Sequence, residues 1–275
     1  MTADRKKAEA KKYLDRVIDQ MALSDSDLKA IVQKRIKQVI DISFSYSYLG
    51  KSFHFADNQI LDDKVDEIFE QIHSDIFNII YIRADNADTL AHQKEKQEKS
   101  NKFLLLFLSM VVAGLTVTDR INRYVMQMRS EVEAYIAVGL ANGMTRTQVL
   151  SYYMTWLKLP YKSPLLLDAF KRQGFKAERI KSRGITFGSG KYVSSFSNLV
   201  RLEQDTIFRA YNHAINSIWL GNSDILGWYT VRGSNYPCNL CDDNVGMFHD
   251  KREFFVGWHP RCCCIMLPVY NFDLK

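Results

Sequence analysis

Two runs near one end of the chain decide how the rest is read: Cys238-Asn-Leu-Cys241 and His259-Pro-Arg-Cys262-Cys263-Cys264. All five cysteines of the protein lie in them. At C-x-x-C spacing two thiolates reach one ion from a single tight turn. A His-x-x-Cys-x-Cys run can close the other side of a tetrahedral site. The expectation is a structural Zn²⁺ drawing its ligands from Cys238, Cys241, His259, Cys262 and Cys264. Zinc–thiolate bonding would add folding energy to a strand-poor segment that cannot build its own core. Cys263 points away from its neighbours if 262–264 is extended, which leaves it outside the set. Two other readings use the same residues. One is a reduced, metal-free thiol cluster. The other is a catalytic site with a water in an open position, which needs a base from Asp242, Asp243, His249 or Glu253. His249 itself reads as a surface-loop histidine.

Working outward, residues 197–220 read as a helix, with Leu199, Leu202, Ile207, Ala210, Ala214 and Ile218 near one face and Gly221 at its end. Residues 226–231, Met247-Phe248 and residues 265–270 read as short strands around the cysteines. Upstream the periods are helical. Leu14, Val17, Ile18 and Met21 make one stripe; Leu28, Ile31, Val32, Ile36, Val39 and Ile40 make a second, with Ser24 or Ser26 as its cap. Residues 59–82 and 119–142 give two more. The second of these closes at Gly139-Leu-Ala-Asn-Gly143, and Thr145 with Gln148 opens a short helix that Pro160 stops. Residues 42–55 alternate aromatic and serine and predict a hairpin. The charged run 83–102 predicts a solvated helix or linker and the main internal boundary. Residues 103–117 are the most apolar run. They fall short of the ~20 residues that a membrane span needs, so a buried helix is expected.

The fold class expected is therefore α+β, mainly α: a helical N-terminal part, and a small C-terminal domain of one helix and short strands closed by a Cys/His knuckle. The regions are 1–100, 101–196 and 197–275. Composition agrees with a folded chain: 275 residues, 47% hydrophobic, 25% charged. The first residues are charged, with no apolar stretch of a signal peptide. Reduced thiols and an odd cysteine count favour metal over a disulfide framework. Net charge is +6, and Lys171, Arg172, Lys176, Arg179, Lys181, Arg183 and Lys191 form the densest basic stretch. They are candidates for contact with DNA or an acidic protein surface, beside the plainer reading of a solvated loop. The glycines after them make no phosphate-binding loop, which lacks its lysine and its strand. Glu131-Val-Glu133 reads as two solvated carboxylates rather than a catalytic pair.

Residues 201–268 resemble the minor head protein family of tailed phages, the phage Mu F-like group. The likeness rests on Arg201 and Arg209-Ala-Tyr-Asn212 on a helix, then Trp228 and Thr230 on a strand. Cys238-x-x-Cys241, Asn244-Val-Gly-Met-Phe248 and His259-Pro-x-Cys262-x-Cys264 follow, running into Pro268. Upstream, Val138-Gly-Leu-Ala-Asn-Gly-Met-Thr145 resembles the family's turn before a short helix. Cys263 stands where the family usually has arginine, and Asp205-Thr206 where it commonly has Thr-Glu. The resemblance implies a structural, non-enzymatic virion component. Its partners would be the portal protein, with scaffold or capsid protein and phage DNA, and it would act in head assembly and DNA packaging or delivery. It implies no membrane. Alternatives of other classes are a zinc-containing nucleic-acid-binding module and a phage-delivered toxin.

Overall fold

A computed structural model describes residues 3–46, 53–99, 101–112, 114–172, 194–259 and 262–271. Helix dominates, and a small antiparallel sheet stands near the C-terminus. The described helices are α1 (Ala3–Ala22), α2 (Ser24–Tyr46), α3 (Gln59–Glu95), α4 (Asn101–Ser109), α5 (Val117–Ala141), α6 (Arg146–Trp156), α7 (Pro164–Arg172), α8 (Ser195–Leu220) and the short α9 (Asn239–Asp242). The strands are β1 (Ile225–Val231), β2 (His249–Asp250) and β3 (Ile265–Tyr270), in the order β2-β1-β3. None of the described helices is long and apolar enough to cross a membrane.

The chain divides into two compact units, each drawn from separated segments rather than from the consecutive regions 1–100, 101–196 and 197–275. One comprises Met1–Ser24, Ile79–Val117 and Glu203–Lys275. Its core joins Ala10, Leu14, Val17 and Met21 of α1 to Ala84, Ala87, Leu90 and Ala91 of α3, and to Phe208, Tyr211, Ile215 and Trp219 of α8. The β3 strand lies against α1. The other unit comprises Asp25–Asn78 and Thr118–Leu202. There Leu28, Val32, Ile36 and Val39 of α2, Val65, Phe69, Ile72 and Ile76 of α3, and Ile121, Val125, Met128, Val132 and Ile136 of α5 are buried. In each helix these residues recur every three or four positions, as one face requires.

Several elements differ from their sequence reading for identifiable reasons. The hairpin expected at 42–55 is not formed by residues 42–46, which continue α2. The serines that mimic the polar face of a strand instead bond back one turn: Ser43 Oγ donates to the Val39 carbonyl at 2.7 Å and Ser45 Oγ to Asp41 at 3.0 Å. Residues 47–52 of that expectation lie outside the described residues. The charged run 83–102 is not a solvated linker over its first half, because α3 runs on to Glu95. Small Ala84, Ala87 and Ala91 bury there with Leu90, and Arg83, Asp88 and His92 are buried beside them. Arg83 meets Glu203 at 2.9 Å, and His92 Nδ1 lies 2.9 Å from the Asp88 carbonyl oxygen. The apolar run 103–117 is helical to Ser109 with Leu104, Phe107 and Leu108 buried as expected, but Leu105, Leu106, Met110, Val111 and Val112 are exposed, and helix resumes only at Val117. In contrast, α8 is buried on nearly every side, not on one face alone.

Local signals close to the sequence hold. Helix α5 ends with Gly143 at φ 66°, the Met144 N–H donating to the Gly139 carbonyl and Gly143 to Leu140, which is a Schellman termination. Thr145 and Gln148 form the reciprocal capping box of α6. Glu131 and Glu133 are not solvated carboxylates. Glu131 accepts from the Ser195 backbone N–H at 3.1 Å and its hydroxyl at 2.5 Å, and Glu133 accepts from the Phe55 N–H at 2.7 Å. Burial pushes Glu131 up to about 7, against the lowering effect of the Ser195 and Gln127 hydrogen bonds.

Candidate metal centre

Strand β1 is the frame on which the knuckle is built. Antiparallel pairing sets Trp228 opposite His249 on one side and Pro268 on the other. At its end, Gly246 at φ 82° donates its N–H to the Thr230 carbonyl at 2.9 Å, which folds the segment after α9 back onto the strand. Arg232 braces the first run of cysteines. Its Nη1 donates to the Cys238 carbonyl at 3.2 Å and to Asp242 Oδ1 at 2.9 Å, and Nη2 donates to the Tyr236 carbonyl.

Cys238 occupies the extended cap position of α9, and Cys241 follows on its single turn, so both sulfurs face one way. The second run is set by two close approaches. A Cβ on Gly233 would stand 1.6 Å from the Cys263 carbonyl oxygen. Gly257, at φ 99°, would bring a Cβ to 3.3 Å from Cys262 Cβ. Only glycine tolerates the first contact, and the second also needs the left-handed backbone. The Cys262 N–H then bonds the His259 carbonyl at 3.0 Å, and the Cys264 N–H donates to Cys262 Sγ at 3.4 Å.

The result is two groups of three donors that share Cys241: Cys238, Cys241 and His259, and Cys241, Cys262 and Cys264. Within each group the ligand atoms lie within 4.8 Å of one another. His259 Nε2 is 3.2 Å from Cys238 Sγ and 3.1 Å from Cys241 Sγ, and Cys241 Sγ is 3.9 Å from Cys262 Sγ. Cys241, Cys262 and Cys264 are 3%, 0% and 3% exposed, while Cys238 is partly exposed. Cys263 joins neither group and is partly exposed. The electrostatics favour thiolate at two positions. The Cys241 backbone N–H holds Cys238 below the usual thiol range. Donation from the Cys264 side chain, then from its N–H, brings Cys262 down to about 6 despite burial. Burial pushes Cys241 up to about 12, and donating to Cys262 pushes Cys264 up. Thiol-rich donors with one imidazole are the chemistry that selects zinc or another soft divalent ion, and these groups could hold such a metal.

An aromatic and polar surround fixes the knuckle. Trp228 Nε1 donates to the Glu253 carbonyl at 2.8 Å and Trp258 Nε1 to Thr230 Oγ1 at 3.3 Å. His249 is no surface-loop histidine. It lies on β2, stacks on Trp228 at 4.2 Å and places Nδ1 3.1 Å from Glu253 Oε2. Asn216 of α8 clasps the loop by both ends of its amide, donating to the Phe255 carbonyl at 2.8 Å and accepting its N–H at 3.2 Å. None of Asp242, Asp243, His249 and Glu253 belongs to either donor group.

The basic candidates divide differently. Lys171 is exposed near the end of α7, and Arg172 closes that helix. Lys176, Arg179, Lys181, Arg183 and Lys191 lie outside the described residues. Sequence reading passed over Arg232, Gly233 and Asn216, although glycine one residue from an arginine just past a strand was a visible signal for a close approach.

No protein-family model matches this chain, and neither the curated proteins nor the solved structures include a significant match.

Proposed function

We propose that the chain is a structural minor head protein of a tailed bacteriophage. It acts beside the portal in head assembly and in DNA packaging or delivery, not as an enzyme. The observation that carries this reading is a coincidence of placement. Arg209-Ala-Tyr-Asn212, Trp228 and both cysteine runs, which carry most of the family resemblance, fall in one compact unit, while Arg201 and residues 138–145 belong to the other. They do separate jobs there. Arg209 pairs with Asp205 at 2.8 Å, Tyr211 is buried, and Asn212 donates back to the Phe208 carbonyl at 3.0 Å. Trp228 anchors the knuckle, and the cysteines gather at its centre. The partners proposed are the portal protein, with scaffold or capsid protein and phage DNA, and the place is the virion head near the portal.

Within this reading Zn²⁺ is held by Cys238, Cys241 and His259 with a fourth ligand from Cys262 or Cys264. Bound there, it supplies a cross-link between the two runs rather than a Lewis acid for turnover. The chain's own part is to present deprotonated sulfur: N–H groups of Cys241 and Cys264 point at Cys238 and Cys262, which orients them before any ion arrives. Elemental analysis of protein purified without chelator is expected to find about one zinc per chain. Five titratable thiols without metal in a folded protein would overturn the metal assignment.

Co-purification tests the function. Coexpressed with the portal protein of the same phage, the chain is expected to elute with the portal oligomer. Salt-sensitive DNA binding with no portal association would replace this reading by a zinc-containing nucleic-acid-binding module. Host-cell killing by the expressed chain alone would replace it by a delivered toxin.

A further inference from the structure

The sulfurs of the knuckle differ in what can reach them. Cys241, Cys262 and Cys264 are enclosed, whereas Cys238 is partly exposed at the cap of α9. Cys238 and Cys241 belong to one donor group, their sulfurs within 4.8 Å, and both lie against the same nitrogen of His259. They are three residues apart on one turn, so their sulfurs can approach without moving either strand. A partly exposed cysteine backed by a buried one on the same turn is the arrangement that lets one thiol meet an oxidant and the other resolve it.

We infer that Cys238 and Cys241 form a peroxide-sensitive pair, in which Cys238 is oxidised first and Cys241 closes the disulfide. In the first step the Cys238 sulfur uses an electron pair to attack one oxygen of hydrogen peroxide. The O–O bond breaks, the other oxygen leaves as hydroxide and takes a proton, and Cys238 is left as a sulfenic acid. In the second step the Cys241 sulfur attacks the Cys238 sulfur. The S–S bond forms, the S–O bond breaks, and the hydroxyl departs as water with the Cys241 proton. Two thiols lose two electrons in all, and one peroxide becomes two waters. The disulfide consumes two of the three donors in the His259 group, so the same event dismantles that half of the candidate metal centre. Cys262 and Cys264 are left reduced on the other side. The proposal rests on the placement of the thiols and holds with or without a bound ion.

The test uses the full chain, reduced, freed of reductant and exposed to one equivalent of hydrogen peroxide. Thiols are counted over time, disulfides are located by peptide mass mapping, and released zinc is followed with a chromogenic chelator. Two thiols are expected to disappear together, and the disulfide to map to Cys238–Cys241. In the double variant C238S, C263S the first thiol loss slows by about tenfold or more relative to C263S, because the remaining sulfurs of the two groups are buried. C263S keeps the wild-type rate. In C241S, Cys238 accumulates as a sulfenic acid that dimedone traps, which gives a readout even if C238S folds poorly. A first disulfide within Cys262–Cys264, or unlabelled Cys238 in C241S, overturns the inference. Zinc content is scored separately, so a metal-free protein removes the metal assignment and leaves this one to the peptide map.

Discussion

Arg83 and Glu203 are 120 residues apart in sequence, yet their side chains meet at 2.9 Å and are almost wholly buried. Arg83 also donates to the Gln20 carbonyl and to Ser24 Oγ, each at 3.2 Å, so the guanidinium holds the end of α1 and the start of α2. Removing one charge strands the other away from water. Glu203→Ala is expected to cost about 3–5 kcal/mol in urea unfolding, while the double replacement Arg83→Met, Glu203→Leu recovers most of that loss. Glu131 gives a pH signature instead. Burial raises its carboxyl from 4.5 to about 7, so the folded chain binds more protons than the unfolded one between those values. The stability this proton supplies is complete below about 4.5 and is lost as pH rises through about 7. The urea midpoint should therefore fall between pH 5 and pH 8, and Glu131→Gln should flatten that fall. Neither residue was legible as it stands. A lone arginine in a charged run and an E-x-E on a helix read as solvent-facing, because their partners are supplied by distant segments.

Elements fared according to how local their determinants are. The end of α5 and the start of α6 were readable because a glycine, a threonine and a glutamine act within a few residues of one another. Thr145→Ala is expected to cost about 1 kcal/mol through the lost cap. Gly139→Ala should cost more, about 1–3 kcal/mol, since its Cβ would stand 2.3 Å from Val149 Cγ2 and α6 would have to shift. Thermal melts of the two variants decide the order. The 42–46 segment misled because period two in a short serine-rich run has two physical outcomes. Serine hydroxyls can face water on a strand or return to the helix carbonyl one turn back, and only the surrounding packing chooses. The 83–95 stretch misled for a related reason: alanine contributes little to a hydrophobic pattern but packs closely against neighbouring helices.

At the scale of the molecule, the mainly helical character, the strands near 226–231 and 265–270 and the cysteine meeting point were visible in the sequence, whereas the strand read at Met247-Phe248 falls instead on His249–Asp250. The division into units was not. Each unit gathers segments from both ends or from the middle of the chain, and α3 and α8 each contribute residues to both. Such a division is set by long-range contacts that no local pattern encodes. The candidate centre was legible as a residue set but not as two groups hinged on Cys241. If an ion links them, its removal is felt by the whole unit. Ion at about 100 times its dissociation constant contributes about 2.7 kcal/mol. Chelation should then lower the melting temperature by about 5–10 °C, and restored zinc should reverse the loss.

Gly233 carries a consequence for heredity rather than for energy. The carbonyl oxygen of Cys263 already occupies the place of any side chain there, and Leu14 Cδ2 would stand 3.4 Å from an added Cβ. Every missense change in that codon adds at least a methyl group. A saturation library scored for soluble protein should thus find position 233 as unforgiving as the cysteines themselves. Position 234, a single codon away, should accept most of the alphabet.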